Sequence, residues 1–216
     1  MKAQIVGLDG NARDIKGLFN DSLPMAQVGG KYFDWVRKGY VFTGFTATPL
    51  SILAYTSATN VPSLWNPDDS GKIVVPLILK ATPSAEGTVA IHSLGINYKV
   101  NCGSHVGTAA PYSVFTEVAA VNNLIGGGVQ QKAKWSPATN TLTAVGTLFD
   151  LTSIGLWVDG TPAVSGPVTG FKFEFDALIL KPGSAIQIVS TPAASSTTYS
   201  VALTWAELPY DPKEFA

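Results

Sequence analysis

Charged side chains are scarce in this sequence. Asp, Glu, Lys and Arg make up 13% of its 216 residues, about half the usual share of roughly 25%. The charges nearly cancel, leaving a net −1. With no basic excess to neutralise phosphates, nucleic-acid binding has no electrostatic basis. Cysteine is rarer still: Cys102 stands alone. No intrachain disulfide can form, and the chain is expected to be made in a reducing cytoplasm. Stability outside a cell would then rest on packing or oligomerisation. Long apolar runs are missing too. The longest, such as the stretch from Ile73 to Leu79, fall far short of the roughly 20 residues that span a bilayer. Gly7, Asp9 and Asn11 break up any signal-peptide core at the N-terminus. A membrane partner is not expected.

What the chain does have is apolar and neutral polar. Hydrophobic residues are 46% of it, and the polar remainder is mainly Ser, Thr, Gly, Asn and Gln. A surface of neutral polar groups costs little to desolvate and repels other proteins weakly, which favours packing against a partner. From Gly39 onward, short apolar and β-branched clusters recur between turn clusters. The turns include the stretch from Asn66 to Gly71, Thr82-Pro83-Ser84, Ser136-Pro137, Asp159-Gly160 and Lys181-Pro182-Gly183. Regular spacing of this kind is the sign of a sandwich or barrel. In Phe171-Lys172-Phe173-Glu174-Phe175-Asp176 a period of two puts three Phe on one face and three charges on the other. In the stretch from Tyr199 to Trp205 the odd positions are large and apolar. Residues 148–156 and 116–124 come nearest to a helical period, and Gly155 breaks the first. The expected fold is all-β, a jelly-roll-like antiparallel sandwich over residues 39–216.

Residues 1–38 read differently, as an extended N-terminal arm of short hairpins. Asp9-Gly10 suits a hairpin turn, with a second short strand over residues 14–19. The aromatic stretch from Tyr32 to Lys38 forms either one helical turn or an extended anchor, or simply packs into the core.

Candidate chemistry is thin. Cys102 and His105 share a metal-like spacing, but zinc takes three or four protein ligands and His92 is the one other histidine. No serine sits in a nucleophile elbow. Glu174 and Asp176 share one strand face, as a glycosidase pair would, but Lys172 extends the same row and a solvated charged face explains all three. Gly126-Gly127-Gly128 lacks the Lys-Ser/Thr of a phosphate loop. No catalytic residue, metal or cofactor is expected. Trp65 and Trp205 read as fold-defining anchors beside turns.

The segments Gly7-Leu8-Asp9-Gly10-Asn11-Ala12-Arg13-Asp14-Ile15-Lys16, Leu64-Trp65-Asn66-Pro67-Asp68-Asp69-Ser70-Gly71, Lys181-Pro182-Gly183-Ser184 and Leu203-Thr204-Trp205-Ala206-Glu207-Leu208-Pro209 carry a family likeness. In type and order they resemble a group of tailed-bacteriophage virion proteins, the capsid decoration or cement proteins. That resemblance implies a jelly roll on the outside of the head, made in the host cytoplasm, assembled as a homotrimer and bound to the major capsid protein. It implies a non-enzymatic role. The candidate capsid contacts lie in the arm: Arg13, Lys16, Phe19, Tyr32, Phe33, Trp35 and Arg37. The alternative is a tail, baseplate or head-fibre module that binds host-surface glycans. For that role Trp135 and Trp157 are the stacking candidates, because each is flanked by polar or turn residues.

Overall fold

The computed structural model describes residues 4–6, 12–14, 32–50, 60–85, 91–106, 112–127, 129–138, 140–142, 147–150, 156–158, 171–175, 178–191 and 198–214. The chain begins with β1 (Gln4–Val6) and β2 (Ala12–Asp14), followed by the short helix α1 (Phe33–Arg37). Then come β3 (Val41–Phe45), β4 (Ser63–Asn66), β5 (Lys72–Ala85), β6 (Ile91–Val100), β7 (Tyr112–Phe115) and β8 (Val121–Asn122). The rest is β9 (Lys134–Ser136), β10 (Asn140–Leu142), β11 (Thr147–Asp150), β12 (Leu156–Val158), β13 (Phe171–Glu174), β14 (Ser184–Thr191) and β15 (Thr198–Pro209). The architecture is an all-β antiparallel sandwich. One sheet has five strands in the order β13-β5-β15-β3-β8. The other has six, in the order β11-β6-β14-β4-β9, with β12 also paired to β6.

Residue parity builds the core. Along β15, Tyr199, Val201, Leu203 and Trp205 are buried while Ser200, Ala202 and Thr204 are half-buried, as a period-two strand requires. Facing them from the six-stranded sheet are Leu64, Leu94, Ile96, Ile186 and Ile188. Each such side chain contributes roughly 1.5–3 kcal/mol by leaving water. Pro76 lies opposite Trp205 in β5, where the register shifts between Thr204 and Trp205. A proline has no N–H for the ladder, and a bulge is where an inner strand tolerates it.

Trp135 corrects a sequence-based expectation. It is fully buried and offers no face to a sugar. Its strand pairs with β4 so that Trp135 lies opposite Leu64, and both point inward. The indole lies over Gly44, where an added Cβ would come within 2.6 Å of the ring. Polar flanking residues did not set its direction; strand parity did. Trp65 and Trp205 are buried too. The second glycan candidate, Trp157, pairs with His92 through the backbone, and its side chain lies outside the described residues.

Among the described residues, neither near-helical stretch forms a helix. Residues 147–150 and 156–158 pair with the same edge of β6. Residues 116–120 form no regular element; the Val118 N–H donates to the Trp135 carbonyl at 2.8 Å, and the stretch leads into β8. The aromatic stretch takes the helical option, as α1. In the arm, β1 and β2 pair as a two-stranded sheet of their own. Its second strand is Ala12–Asp14, ahead of the expected position; the Asp9-Gly10 turn and residues 15–19 lie outside the described residues.

Candidate functional site

The candidate chemistry does not converge. Cys102 is buried, while His105 is exposed. Burial pushes the Cys102 thiol up to about 11, so it is neither a thiolate nucleophile nor a ready metal ligand. Glu174 is engaged by Lys172 at 2.7 Å on the exposed face of β13; Asp176 lies outside the described residues. Among the described residues no group of three His, Cys, Asp or Glu comes together, and no helix is long and apolar enough to cross a membrane.

Glu207 is the buried acid that sequence reading passed over. It is 3% exposed. Its Oε1 accepts hydrogen bonds from the Ala133 N–H and the Trp205 indole, both at 3.1 Å, and its Oε2 accepts one from the Lys132 N–H at 2.7 Å. Burial pushes this carboxyl above its usual 4.5; the indole, the two amides and the charge of Lys72 pull it partly back. Three donors and no neighbouring acid make it a clasp, fastening the chain before β9 to β15. The signal was present: Glu207 continues the odd-numbered inward row of β15.

Two apolar surface features stand out. The first is a groove of about 340 Å³ where β6 and β14 meet the segment 178–181. Tyr98, Val100, Leu178, Ile179 and Ile186 supply its apolar walls. Its lining includes two lysines, Lys99 and Lys181, and no acid. Val100 is 54% exposed and Ile179 48%.

The second is the turn after β8. The Gly127 N–H donates to the Leu124 carbonyl at 2.7 Å, and Gly126 has φ +82°. This is type II turn geometry, which calls for glycine at the third position. A Cβ on Gly127 would lie 2.8 Å from the Leu124 carbonyl oxygen, so the second glycine is needed as well. The turn lifts Ile125 to 94% exposure, with Leu124, Val121 and Val129 exposed around it. It is firmly braced. Asn122 donates through Nδ2 to the carbonyls of Gly39 and Val129, and its Oδ1 accepts from the Leu124 N–H. No charged residue occurs from Val118 to Gln131. Sequence reading weighed the triple glycine only as a phosphate loop and did not single out the Leu-Ile pair that the turn displays.

The arm candidates divide. Tyr32 and Trp35 stack at 5.7 Å and pack with Val36 against Val41, Leu77 and Ala206 on the outer face of the five-stranded sheet. Phe33 and Arg37 point outward, Arg37 lying 3.6 Å from Asp34. Arg13 pairs with Ile5 through the backbone. The side chain of Arg13, and all of Lys16 and Phe19, lie outside the described residues.

The fold is an antiparallel β-sandwich with two exposed apolar surface features. No family model, curated protein or solved structure matches the chain.

Proposed function

We propose that this chain is a capsid decoration protein of a tailed bacteriophage, a non-enzymatic cement that binds the outside of the head and braces the major capsid protein. The observation that carries the reading is the N-terminal hairpin. Its described strands pair with each other and join neither sheet of the sandwich, while α1, further along the chain, packs on the outer face of the five-stranded sheet. A tethered hairpin of this kind can lie across neighbouring shell subunits while the sandwich fills the space between them. Several arms engaged at once raise avidity without a large contact per arm.

Strand order supports a jelly roll. Number β3, β4, β5, β6, the β11–β12 pair, β13, β14 and β15 from 1 to 8. The sheets then read 6-3-8-1 and 5-4-7-2, the order of two interwound Greek keys. The segments that carry the family likeness do architectural work. Asn66 ties three elements by donating to the Lys72 and Leu180 carbonyls, and Trp205 with Glu207 closes the clasp. Those segments therefore speak to the fold, and the arm speaks to the role.

The test is co-sedimentation with purified heads stripped of their outer protein, using the full chain and a chain lacking residues 1–31. The full chain is expected to bind the outer surface and raise the heat resistance of the heads; the truncated chain is expected to bind far more weakly. Failure of the full chain to bind stripped heads would refute the reading.

A further inference from the structure

Strand parity lays a row of neutral polar side chains across the outer face of the six-stranded sheet. Ile186 and Ile188 of β14 belong to the core between the sheets, so Gln187 between them points away from it. Gln187 lies opposite Ser63 of β4, and Ser63 opposite Ser136 of β9. The row is nevertheless sealed from solvent: Gln187 is 1% exposed, and Ser63 and Ser136 are 0%. The paired strands β7 and β10 cover this face as a third layer. They bring Tyr112 and Asn140, both fully buried, down onto Ser63.

At one end of this seam the hydrogen bonds close. The Ser63 hydroxyl donates to the Val61 carbonyl at 3.0 Å, with Asn140 Oδ1 also in reach at 3.1 Å. Asn140 Nδ2 donates to the same carbonyl at 2.6 Å and reaches Ser136 Oγ at 3.4 Å. At the other end they do not close. Gln187 Nε2 reaches Ser63 Oγ at 3.4 Å, but among the described residues its Oε1 has no donor. The Tyr112 hydroxyl lies beside Ser63 and makes no hydrogen bond among them either. The amide oxygen can only accept, and the hydroxyl has a proton to give. Buried polar atoms are rarely left so, because each then bears its full desolvation cost.

We infer that this end of the seam is a binding site for one buried water, which accepts from the Tyr112 hydroxyl and donates to Gln187 Oε1 and to Ser63 Oγ. Ser63 Oγ has two acceptor positions and takes one hydrogen bond from Gln187, so one position remains. Three hydrogen bonds to otherwise unsatisfied groups are the usual set for an internal water. A metal cation is the poorer occupant, because all three groups are neutral and a buried charge needs a counter-charge. The water fastens β7 of the cover to β14 beneath it, and it exchanges with solvent only when the cover lifts. The site does not depend on the role proposed for the chain.

A high-resolution crystal structure of the full chain tests it. One ordered water is expected within about 3.2 Å of Tyr112 Oη, Gln187 Oε1 and Ser63 Oγ. A dry site, a Tyr112 hydroxyl bonded directly to Ser63 or Gln187, or a Gln187 amide turned over onto a backbone carbonyl would each overturn the inference. Thermal melts then separate a bridged hydroxyl from an unpaired one by sign. Tyr112→Phe should lower the melting temperature by about 2–4 °C when the hydroxyl holds a water. Removing an unpaired hydroxyl should instead leave it unchanged or raise it. Gln187→Met should lower it as well. The water is lost only once, so the double variant should lose clearly less than the two single losses added together. An unchanged or raised melting temperature in Tyr112→Phe, or strictly additive losses, would also overturn the inference. Circular dichroism checks the fold of each variant, and the parent's crystal structure decides the matter even where a variant fails to fold.

Discussion

On the outside of the six-stranded sheet, Trp65 lies beneath the paired strands β7 and β10. It packs with Tyr112, Phe115, Leu142, Ala185 and Cys102, and its indole donates to the Cys102 carbonyl at 2.7 Å. Beside this cluster Asn140 donates to the Val61 carbonyl at 2.6 Å, and Ser63 donates to Asn140 Oδ1. On the outside of the five-stranded sheet, Trp35 sits on the surface strands as part of a helix with no buried residue. Beyond it the face lies open: Phe45 and Val121 are exposed, and the Thr43 hydroxyl donates to Asn123 Oδ1 in view of solvent and shares a half-buried hydrogen bond with Thr204. One face is sealed by a third layer and the other is half covered. The sealed face should therefore contribute more to holding the fold together than the open one.

The largest test of that contrast uses the same residue type on both faces. Trp65→Ala should cost about 3–5 kcal/mol, the range for emptying a large buried site. Trp35→Ala should cost about 1 kcal/mol, as a partly exposed contact does. Urea unfolding of the two variants measures both, and equal losses would break the comparison.

Cys102 reports on the seal directly. Its raised thiol, at about 11 against a usual 9.0, leaves about a hundredfold less thiolate at mild alkaline pH, and thiolate is the reactive form. Alkylation by iodoacetamide in the native protein should therefore run at least about a hundredfold slower than in urea. Native labelling as fast as in urea would mean that the cover opens freely.

A smaller effect separates polar groups on the two faces. Asn140→Leu removes its hydrogen bonds with the Val61 carbonyl and Ser63 in a buried site, leaving those two groups only each other and Gln187, and should cost about 1–3 kcal/mol. Thr43→Val breaks its hydrogen bonds with Asn123 and Thr204, which water can replace, and should cost under about 0.5 kcal/mol. Thermal melts of both would show whether the network or merely the apolar cluster closes the seal.

How much of this was legible depended on whether a signal was local. The all-β class, the inward row of β15 and the anchoring of Trp65 and Trp205 followed from alternation and turn chemistry, which a short window carries. Trp135 did not, because β9 has three residues, too few to show a period, and its direction is set by pairing with β4. Layering was also beyond reach: nothing near Tyr112 or Asn140 indicates that they cover another sheet. Glu207 lay on a readable row but was passed over because a charge there conflicts with burial until its three donors are known. The groove joins residues some 80 positions apart in sequence, at Tyr98 and Ile179, and no window spans that.

The smallest effect concerns what lies between the two faces. Glu207 is the one buried charged side chain among the described residues, so a pH response that both covers lack should come from it. Its folded carboxyl holds a proton more tightly than the usual 4.5 because burial outweighs its donors. Between 4.5 and the raised folded value, the folded chain retains a proton that the unfolded chain has released. Unfolding then releases a proton, so this group's contribution is full below 4.5 and is lost as pH rises through the folded value. Glu207→Gln cannot titrate. It places an amide against the Lys132 or Ala133 N–H and loses a bond at every pH, which is a constant offset. Melting both proteins upward from pH 4.5 should show the parent's advantage over the variant shrinking as pH rises. An advantage that grows instead would mean that the three donors outweigh burial and hold the clasp as a carboxylate throughout.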